Sequence, residues 1–445
     1  MPGIIFIMIA CVAIFLLLFF IIRTKLHAFL ALMLVSIFVG LGTGMSADEI
    51  LQSIQSGMGA TLGFVAVIIG LGAMFGQMLE ISGGAERLAR TLIRKFGESK
   101  AQWALGITGF LVAIPVFFDV GLIILIPIIY KLAKKTGRSL LFYGIPLLAG
   151  LAVTHSYIPP TPGPIIVADF IHADLGWVVL FGILAGIPSM AIAGPLFGGF
   201  IAKRIQVEVP DYMNLAETEE KEDLPHFALI AVIILIPLVL MLIRTLAMMF
   251  LSDGLPLSIL SFIGHPIIAL LIATMLAIYF LGIRRGYGKQ EVHFMVNKAL
   301  EPAGIIMVVT GAGGVFKQVL IDSGIGQVLG EKLASTQLPP LILAFVIAAS
   351  LRVAQGSSTV AMVTSASLIA PMLTNLSITG PMLGLIVISI ASGATIFSQI
   401  NDSGFWLVNR YFGMNVKDTI LSWSIMETII ALVGFAMTLL LSLFI

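Results

Sequence analysis

Long apolar runs separated by short polar segments occupy almost the whole chain. Residues 3–22 contain no charged side chain, and further apolar runs of about 20 residues follow. A helix of that length crosses the ~30 Å hydrocarbon core of a bilayer. The pattern predicts seven membrane segments in each half, at approximately 3–22, 27–44, 60–82, 101–118, 120–130, 139–157 and 176–201, then 227–250, 258–283, 303–322, 338–352, 357–372, 379–397 and 421–444.

Two of these segments, 120–130 and 357–372, are short for a full crossing. We expect such segments to be re-entrant or broken, because irregular backbone at membrane depth is tolerated only where protein or a cavity covers it. The predicted fold class is therefore an all-α polytopic membrane protein, with about 12–14 membrane segments including broken or re-entrant helices.

The second half of the chain repeats the first. Three ordered segments match at nearly one offset, which is unusual by chance and is typical of an internal repeat. The matches are Gly72–Gly83 with Gly313–Gly324 at a shift of 241, His27–Leu32 with His265–Leu270 at 238, and Ser156–Thr161 with Ser398–Ser403 at 242.

Basic residues indicate which way each half faces, because short cytoplasmic loops collect Lys and Arg. In the first half they lie in 23–26, 83–100 and 131–138, whereas 45–57 and 158–175 contain none. The second half shows the reverse, with basic residues at Arg284, Arg285, Lys289, Lys298, Arg410 and Lys417 and almost none in 251–264, 324–337 and 373–380.

This reversal predicts two repeats of inverted topology. The first membrane repeat covers 1–202, the second covers 227–445, and a polar, acidic linker at 203–226 joins them on the cytoplasmic side. A hydrophobic content of 59% with only 11% charged residues excludes a soluble fold. The net charge of +1, spread over short loops, argues against nucleic-acid binding.

Four interrupted stretches stand out within the apolar segments: 117–121, 154–164, 355–361 and 398–406. Inverted repeats with interrupted, Gly- and Pro-rich segments at matching positions are typical of secondary transporters, whose sites lie where the broken helices meet. We therefore predict a transporter and not an enzyme, with no cofactor and no metal site.

Three residues are candidates for proton coupling. An unpaired carboxylate such as Asp119 is costly in a membrane, so it is expected to be protonated, paired or placed in a wet cavity. Asp402 lies in Asn-Asp-Ser-Gly, which is also strong turn chemistry. His155 either titrates near neutral pH or is a hydrogen-bonded packing residue.

The candidates for substrate binding lie in the same stretches. Hydroxyls and free backbone N–H groups at the start of a short helix suit a carboxylate, although helix capping explains such residues almost as well. A Pro-rich break at membrane depth marks a second candidate region. The candidates are Ser156, Thr161, Gly163, Ser357, Ser358, Thr359, Asn401 and Ser403, while Arg352 and Lys317 either neutralise an anion or snorkel from segment ends.

At these stretches the chain resembles the gluconate permease family, the gluconate:proton symporters and their sugar-acid and D-serine relatives. The motifs that carry the resemblance are His27–Leu32, Gly59–Gly63, Gly311–Leu320 and Asn401–Trp406. The resemblance implies uptake of a small carboxylate such as gluconate with a proton, across the cytoplasmic (inner) membrane of a bacterium. It also implies two re-entrant hairpins and an elevator-like motion.

Four positions depart from the common pattern of that family. Asp119 stands where relatives commonly carry Glu, Thr161 and Gln399 stand where His is frequent, and Ser358 stands where Ala is frequent. Loss of two imidazoles and gain of a hydroxyl leave open which acid is carried.

Several alternatives stay open at this stage. Within transport they are a carrier for another small hydroxy or amino acid, such as D-serine or glycerate, a sodium-coupled carrier and an exchanger. A remote alternative is an intramembrane hydrolase in which Asp119 and Asp402 share a proton. A channel is disfavoured because no ring of charges is evident. A homo-oligomer is compatible with the sequence, which does not determine the oligomeric state.

Overall fold

The computed structural model describes residues 2–210, 224–336, 339–373, 378 and 380–445. All regular elements in this part of the chain are helical. Within it, eight helical stretches are long and apolar enough to cross a membrane, which confirms the all-α polytopic fold. These stretches are Ile4–Arg23, Ala47–Ile81, Leu140–Ile171, Leu175–Ile201, Phe227–Phe250, Pro266–Arg285, Lys289–Asp322 and Val416–Phe444.

The helices of the two halves follow one another in a corresponding order. The first half contains α1 (Pro2–Leu18), α2 (Ala28–Gly42), α3 (Ala47–Ile81), α4 (Gly84–Phe96), α5 (Ala101–Val112), α6 (Phe118–Thr136), α7 (Leu140–Tyr157), α8 (Pro162–Ile171), α9 (Leu175–Ala191) and α10 (Phe197–Ile201). The second half contains α11 (Phe227–Phe250), α12 (Leu255–Ile263), α13 (Pro266–Ala277), α14 (Lys289–Lys298), α15 (Leu300–Asp322), α16 (Ile325–Thr336), α17 (Pro340–Gln355), α18 (Ser358–Leu373), α19 (Pro381–Thr395), α20 (Ser403–Tyr411), α21 (Val416–Thr419) and α22 (Ile425–Leu441).

Several predicted loops are partly helical, including 83–100, 251–264 and 324–337, which contain α4, α12 and α16. The prediction of a loop at 45–57 was wrong because Ser46 and Glu49 form a capping box that starts α3 there. The Ser46 Oγ accepts from the Glu49 N–H, and the Glu49 carboxylate accepts from the Ser46 N–H at 2.7 Å. The loop predicted at 158–175 contains α8, which begins with Pro162 at a position where a missing N–H costs nothing.

The helices α5 and α6 form an antiparallel helical hairpin. Helices α5 and α7 run parallel, since the Thr154 hydroxyl donates to the Phe110 carbonyl at 2.9 Å and a Cβ on Gly150 would lie 2.2 Å from the Gly106 oxygen. Because α5 and α7 start at the same side, α6 must run back between them. The tip of this first hairpin is the non-helical segment 113–117.

The helices α17 and α18 form a second hairpin by the same argument. The Ser389 hydroxyl of α19 donates to the Leu341 carbonyl of α17 at 2.6 Å, and a Cβ on Gly393 would lie 2.4 Å from the Phe345 oxygen. Helices α17 and α19 are therefore parallel, and α18 returns between them. The tip of this second hairpin is 356–357.

The long helices α3 and α15, which occupy equivalent positions in the two halves, pack against each other in opposite directions. At one end the Ser53 hydroxyl donates to the Asp322 carboxylate at 2.6 Å, and at the other end Gly70 faces Leu300. Antiparallel packing of equivalent helices is what an inverted repeat requires. Helix α3 also contacts α8, and α15 contacts both α8 and α18, so they flank the hairpin region.

The predicted linker is only partly within the described residues. Residues 205–210 and 224–226 contain no helix. The acidic residues that motivated the prediction, from Glu217 to Asp223, lie in 211–223 and outside the described residues. The repeat boundaries and the cytoplasmic side of the linker stay predictions.

Candidate functional site

A cavity of about 320 Å³ lies where the two hairpins meet the interrupted helix pairs α7–α8 and α19–α20. Its wall comes from both halves of the chain. The lining residues are Phe117, Phe118, Asp119, Val120, Ala152, His155, Ser156, Pro302, Ile306, Arg352, Ser357, Ser358, Thr359, Asp402, Ser403, Gly404, Trp423 and Glu427.

Three helices begin at this cavity, namely α6, α18 and α20. The first N–H groups of a helix have no partner within the helix, so they attract anions. Gly356 makes the start of α18 possible: its φ is +83°, and a Cβ there would lie 2.2 Å from the Asn401 carbonyl oxygen. Any larger residue would separate the second hairpin from the break before α20.

A buried ion pair joins the second hairpin to this break. The Arg352 guanidinium lies 2.7 Å from the Asp402 carboxylate, and Arg352 is only 3% exposed. Asp402 also accepts from the Ser398 hydroxyl at 2.5 Å and from the Gly404 N–H at 3.2 Å. The second guanidinium nitrogen donates to the Gly356 carbonyl. These contacts hold Asp402 in place and make Arg352 central to the site.

Asp119 has no such partners. It lies in the first turn of α6, on the cavity wall, and makes no hydrogen bond or ion pair with any residue that the structure describes. The neighbouring Phe118 ring packs against Trp423, with ring centroids 5.3 Å apart. The position of the Asp119 carboxyl is thus set by packing, and its oxygens are free to exchange a proton or bind a ligand.

The polar groups of the wall include three atoms that lack partners among the described residues. The Nδ1 atom of His155, the hydroxyl of Ser358 and the Nε atom of Arg352 are all buried without a hydrogen bond. Ser357, in contrast, accepts from the Val360 N–H at 3.4 Å and so caps α18 weakly. The buried groups without partners are the ones that a polar ligand would satisfy. The remaining sequence candidates on this wall are Ser156, Thr359 and Ser403.

Two candidates from the Pro-rich break lie away from this cavity. The Thr161 hydroxyl donates to the Ile158 carbonyl at 2.7 Å, and its side chain lines a separate cavity of about 10 Å³. Gly163 provides close packing, since a Cβ there would lie 2.4 Å from the Met362 sulfur. The break includes a cis peptide bond at Pro159–Pro160.

Asn401, Gln399 and Lys317 also point elsewhere. The Asn401 and Gln399 amides donate to the Val353 carbonyl, at 3.0 and 3.1 Å. Lys317 donates to the Phe170 carbonyl at 3.3 Å, and its ammonium lies 5.0 Å from the centre of that ring. These side chains form hydrogen bonds within the hairpin region and do not line the cavity of about 320 Å³.

Sequence reasoning missed Glu427, which lies on the cavity wall in the first turn of α22. It is the only charged residue in the predicted segment 421–444. An ionisable residue within a membrane segment is by itself a signal of function. That signal was present in the sequence, although no helix break accompanied it.

Two inverted repeats whose broken helices meet at a buried, charged cavity are typical of multi-pass membrane transporters. The chain belongs to the GntP family permeases, whose family profile matches residues 5–444. This confirms the resemblance found in the sequence. It also confirms that the chain is a transporter, so the aspartyl hydrolase is excluded.

The similar proteins are bacterial permeases. The chain is 42% identical to the low-affinity gluconate transporter of Escherichia coli K12, over 95% of each chain. It is 41% identical to the gluconate permease of Pseudomonas aeruginosa, over 95% of this chain and 94% of that one. It is 37% identical to an L-idonate transporter of Escherichia coli K12, over 94% and 95%. The predicted location, as a multi-pass protein in the inner membrane of a bacterium, is confirmed.

Solved structures share the fold at low identity. The transporter YdaH of Alcanivorax borkumensis superposes with a TM-score of 0.65 at 16% identity, over 89% of this chain and 90% of that one. MtrF of Neisseria gonorrhoeae, described among antimetabolite efflux pumps, superposes with a TM-score of 0.61 at 16% identity, over 88% and 84%. At this identity the likeness concerns the fold alone.

Proposed function

We propose that this chain carries gluconate or a closely related sugar acid into the cell together with protons. The observation that carries the proposal is the cavity at which Arg352, the start of α18 and the unpaired Asp119 come together. The relatives transport gluconate and L-idonate, which supports an aldonate as the substrate class.

The anion would bind at the start of α18. There the helix presents free N–H groups and the Ser358 hydroxyl, and the guanidinium of Arg352 lies in the same wall. A sugar acid carries several hydroxyls besides its carboxylate. His155 and Thr359 offer hydrogen-bonding groups to those hydroxyls from two different elements.

Asp119 would carry a proton. Arg352 is already paired with Asp402, so an entering anion meets a neutral pair beside an unpaired carboxyl group. The anion binds more favourably when Asp119 is protonated, because the repulsion between like charges is then removed. By linkage, the anion raises the proton affinity of Asp119 to the same extent, and the two ligands travel together.

Alternating access would come from movement of the broken-helix regions against the flanking helices α3 and α15. Both hairpins and both interrupted helices contribute to the cavity wall, so their joint movement would carry the bound anion. This is the usual relation between repeats and transport in secondary carriers.

Uptake of labelled gluconate by proteoliposomes tests the proposal. We expect an inward proton gradient to drive accumulation and a protonophore to abolish it, and other sugar acids to compete. Uptake that requires a sodium gradient instead would show that sodium, and not the proton, is the coupling ion. Strong uptake of D-serine or glycerate, with no uptake of gluconate, would show that the substrate is not a sugar acid of the gluconate type.

The variant Asp119→Asn tests the proton site. We expect it to lose accumulation under a proton gradient while it still exchanges labelled for unlabelled gluconate. The control is Asp253→Asn, which removes a carboxylate in the exposed segment between α11 and α12. Normal accumulation by Asp119→Asn would remove Asp119 from the coupling mechanism.

A further inference from the structure

Glu427 is a buried carboxyl group that has no role in the proposed symport mechanism. It is 4% exposed and lies on the wall of the cavity of about 320 Å³, at the start of α22. It makes no hydrogen bond and no ion pair with the residues that the structure describes. Buried polar groups are normally hydrogen-bonded, so a carboxyl without partners calls for an explanation.

The charged groups around Glu427 do not neutralise it. From α17, Arg352 attracts a charge on Glu427, but it forms its ion pair with Asp402 and donates to the Gly356 carbonyl. From α6, the nearby charged group on the same wall is Asp119, which has the same sign. An ionised Glu427 would thus be a buried charge without a dedicated counter-ion, and a bound proton removes that cost.

The other elements packed against α22 provide no cation that pairs with Glu427. From α7, His155 lies on the cavity wall, while the Tyr157 hydroxyl already donates to the Ile430 carbonyl at 2.9 Å and accepts from Ser392 at 3.1 Å. The helices α9 and α19 also contact α22 and contain no titratable side chain.

The fold does not require an acid at this position. Aligning the N-cap of α9, Asp174, with the N-cap of α21, Asn415, gives a shift of 241 between the two repeats. The same shift places Gly186 at the position of Glu427, and Gly186 is buried against Val153 and Phe110. One repeat therefore packs without any side chain where the other buries a carboxyl group.

The charges of the wall suggest what Glu427 does. The wall contains three carboxyl groups, those of Asp119, Asp402 and Glu427, and one guanidinium. When all are ionised, three negative charges and one positive charge leave the wall with two excess negative charges. Only protons on the two unpaired carboxyls bring the wall to neutrality before an anion enters. We propose that Glu427 is a second proton-binding group of the transport cycle, so that two protons accompany each sugar-acid anion; this rests on the proposed symport function.

The stoichiometry of transport tests this directly. In proteoliposomes whose membrane potential is clamped at zero, the pH difference that just balances a fixed gluconate gradient reports the number of protons carried per anion. We expect two protons for the wild type and one for Glu427→Gln, which mimics the protonated side chain. The variant Glu427→Asp, which keeps an acid, should keep two. An unchanged ratio in Glu427→Gln would overturn the proposal while leaving the symport function in place.

A second measurement is independent of the substrate. We expect the infrared spectrum of the lipid-reconstituted protein to contain a protonated-carboxyl band that disappears in Glu427→Gln and that titrates as the pH is raised. The neutral variant Glu427→Leu provides the same comparison if Glu427→Gln does not fold. A spectrum identical in wild type and variants would overturn proton binding at Glu427. Absence of gradient-driven uptake by the wild type would instead overturn the proposed function, and the band would still decide whether Glu427 binds a proton.

Discussion

The two breaks of the membrane helices, at 158–161 in the first repeat and at 396–402 in the second, occupy equivalent positions but face different cavities. The first break lines a cavity of about 10 Å³ whose wall contains no charged side chain. The second ends at Asp402 and helps to enclose about 320 Å³ with four charged side chains. The first cavity has room for about one water molecule, whereas the second can hold a small organic anion.

This difference shows that the repeat supplies the backbone arrangement twice, whereas the buried ion pair occurs in one repeat only. Tight glycine contacts hold both parallel helix pairs, α5 with α7 and α17 with α19. The ion pair between Arg352 and Asp402, in contrast, lies entirely in the second repeat. Three predictions test this division, and the largest effect is expected at the ion pair.

The variant Arg352→Gln should lose both stability and transport. It leaves Asp402 buried without its cation, which costs about 3–5 kcal/mol. We expect a clear fall in the melting temperature of the purified protein and no gluconate uptake. The double variant Arg352→Gln with Asp402→Asn should recover much of the stability but not the uptake. A single variant as stable as the wild type would show that the pair does not hold the second break.

Glycine substitutions should affect the two repeats equally. Gly150→Ala and Gly393→Ala each place a Cβ against a backbone oxygen, at 2.2 and 2.4 Å, so the paired helices must separate. We expect each to cost about 1–3 kcal/mol and to lower the melting temperature by a similar amount.

The matched controls are Gly59→Ala and Gly304→Ala, one in each repeat, where an added Cβ meets no neighbouring atom within 4 Å. These should leave the melting temperature unchanged or slightly raised, since Ala favours helix over Gly. A large loss confined to one repeat would contradict the view that the two halves share one packing scheme.

The smallest effects are expected for hydroxyls at the two cavities. The buried Ser358 hydroxyl has no partner among the described residues, so Ser358→Ala should raise the half-saturation concentration for gluconate about fivefold, through loss of one hydrogen bond to the substrate. Thr161→Val removes only an internal hydrogen bond and should leave half-saturation within about twofold. Equal effects of both variants on uptake would remove the functional distinction between the two cavities.

Most of the site was predictable because membrane segments tolerate few polar residues. Asp119, His155 and Ser357 to Thr359 stood out at segment interruptions, and the structure brings them to one wall. The sequence left open whether Arg352 neutralises an anion or snorkels from a segment end, because its ion pair depends on a partner 50 positions away. The Pro-rich break was the strongest local signal, but it lies beside the small cavity.

The sequence by itself determined the class of fold, the inverted repeat and the family. Bilayer thickness sets the length of each apolar segment, and basic residues mark the cytoplasmic loops, so both patterns can be read from one chain. The family was visible in local motifs. Only the tertiary structure decided which polar groups are partnered. Asp402 is neutralised by Arg352, whereas Asp119 and Glu427 lack partners among the described residues. The physical reason is that partnership depends on distances of a few ångströms between helices far apart in the chain, and no local pattern encodes those distances.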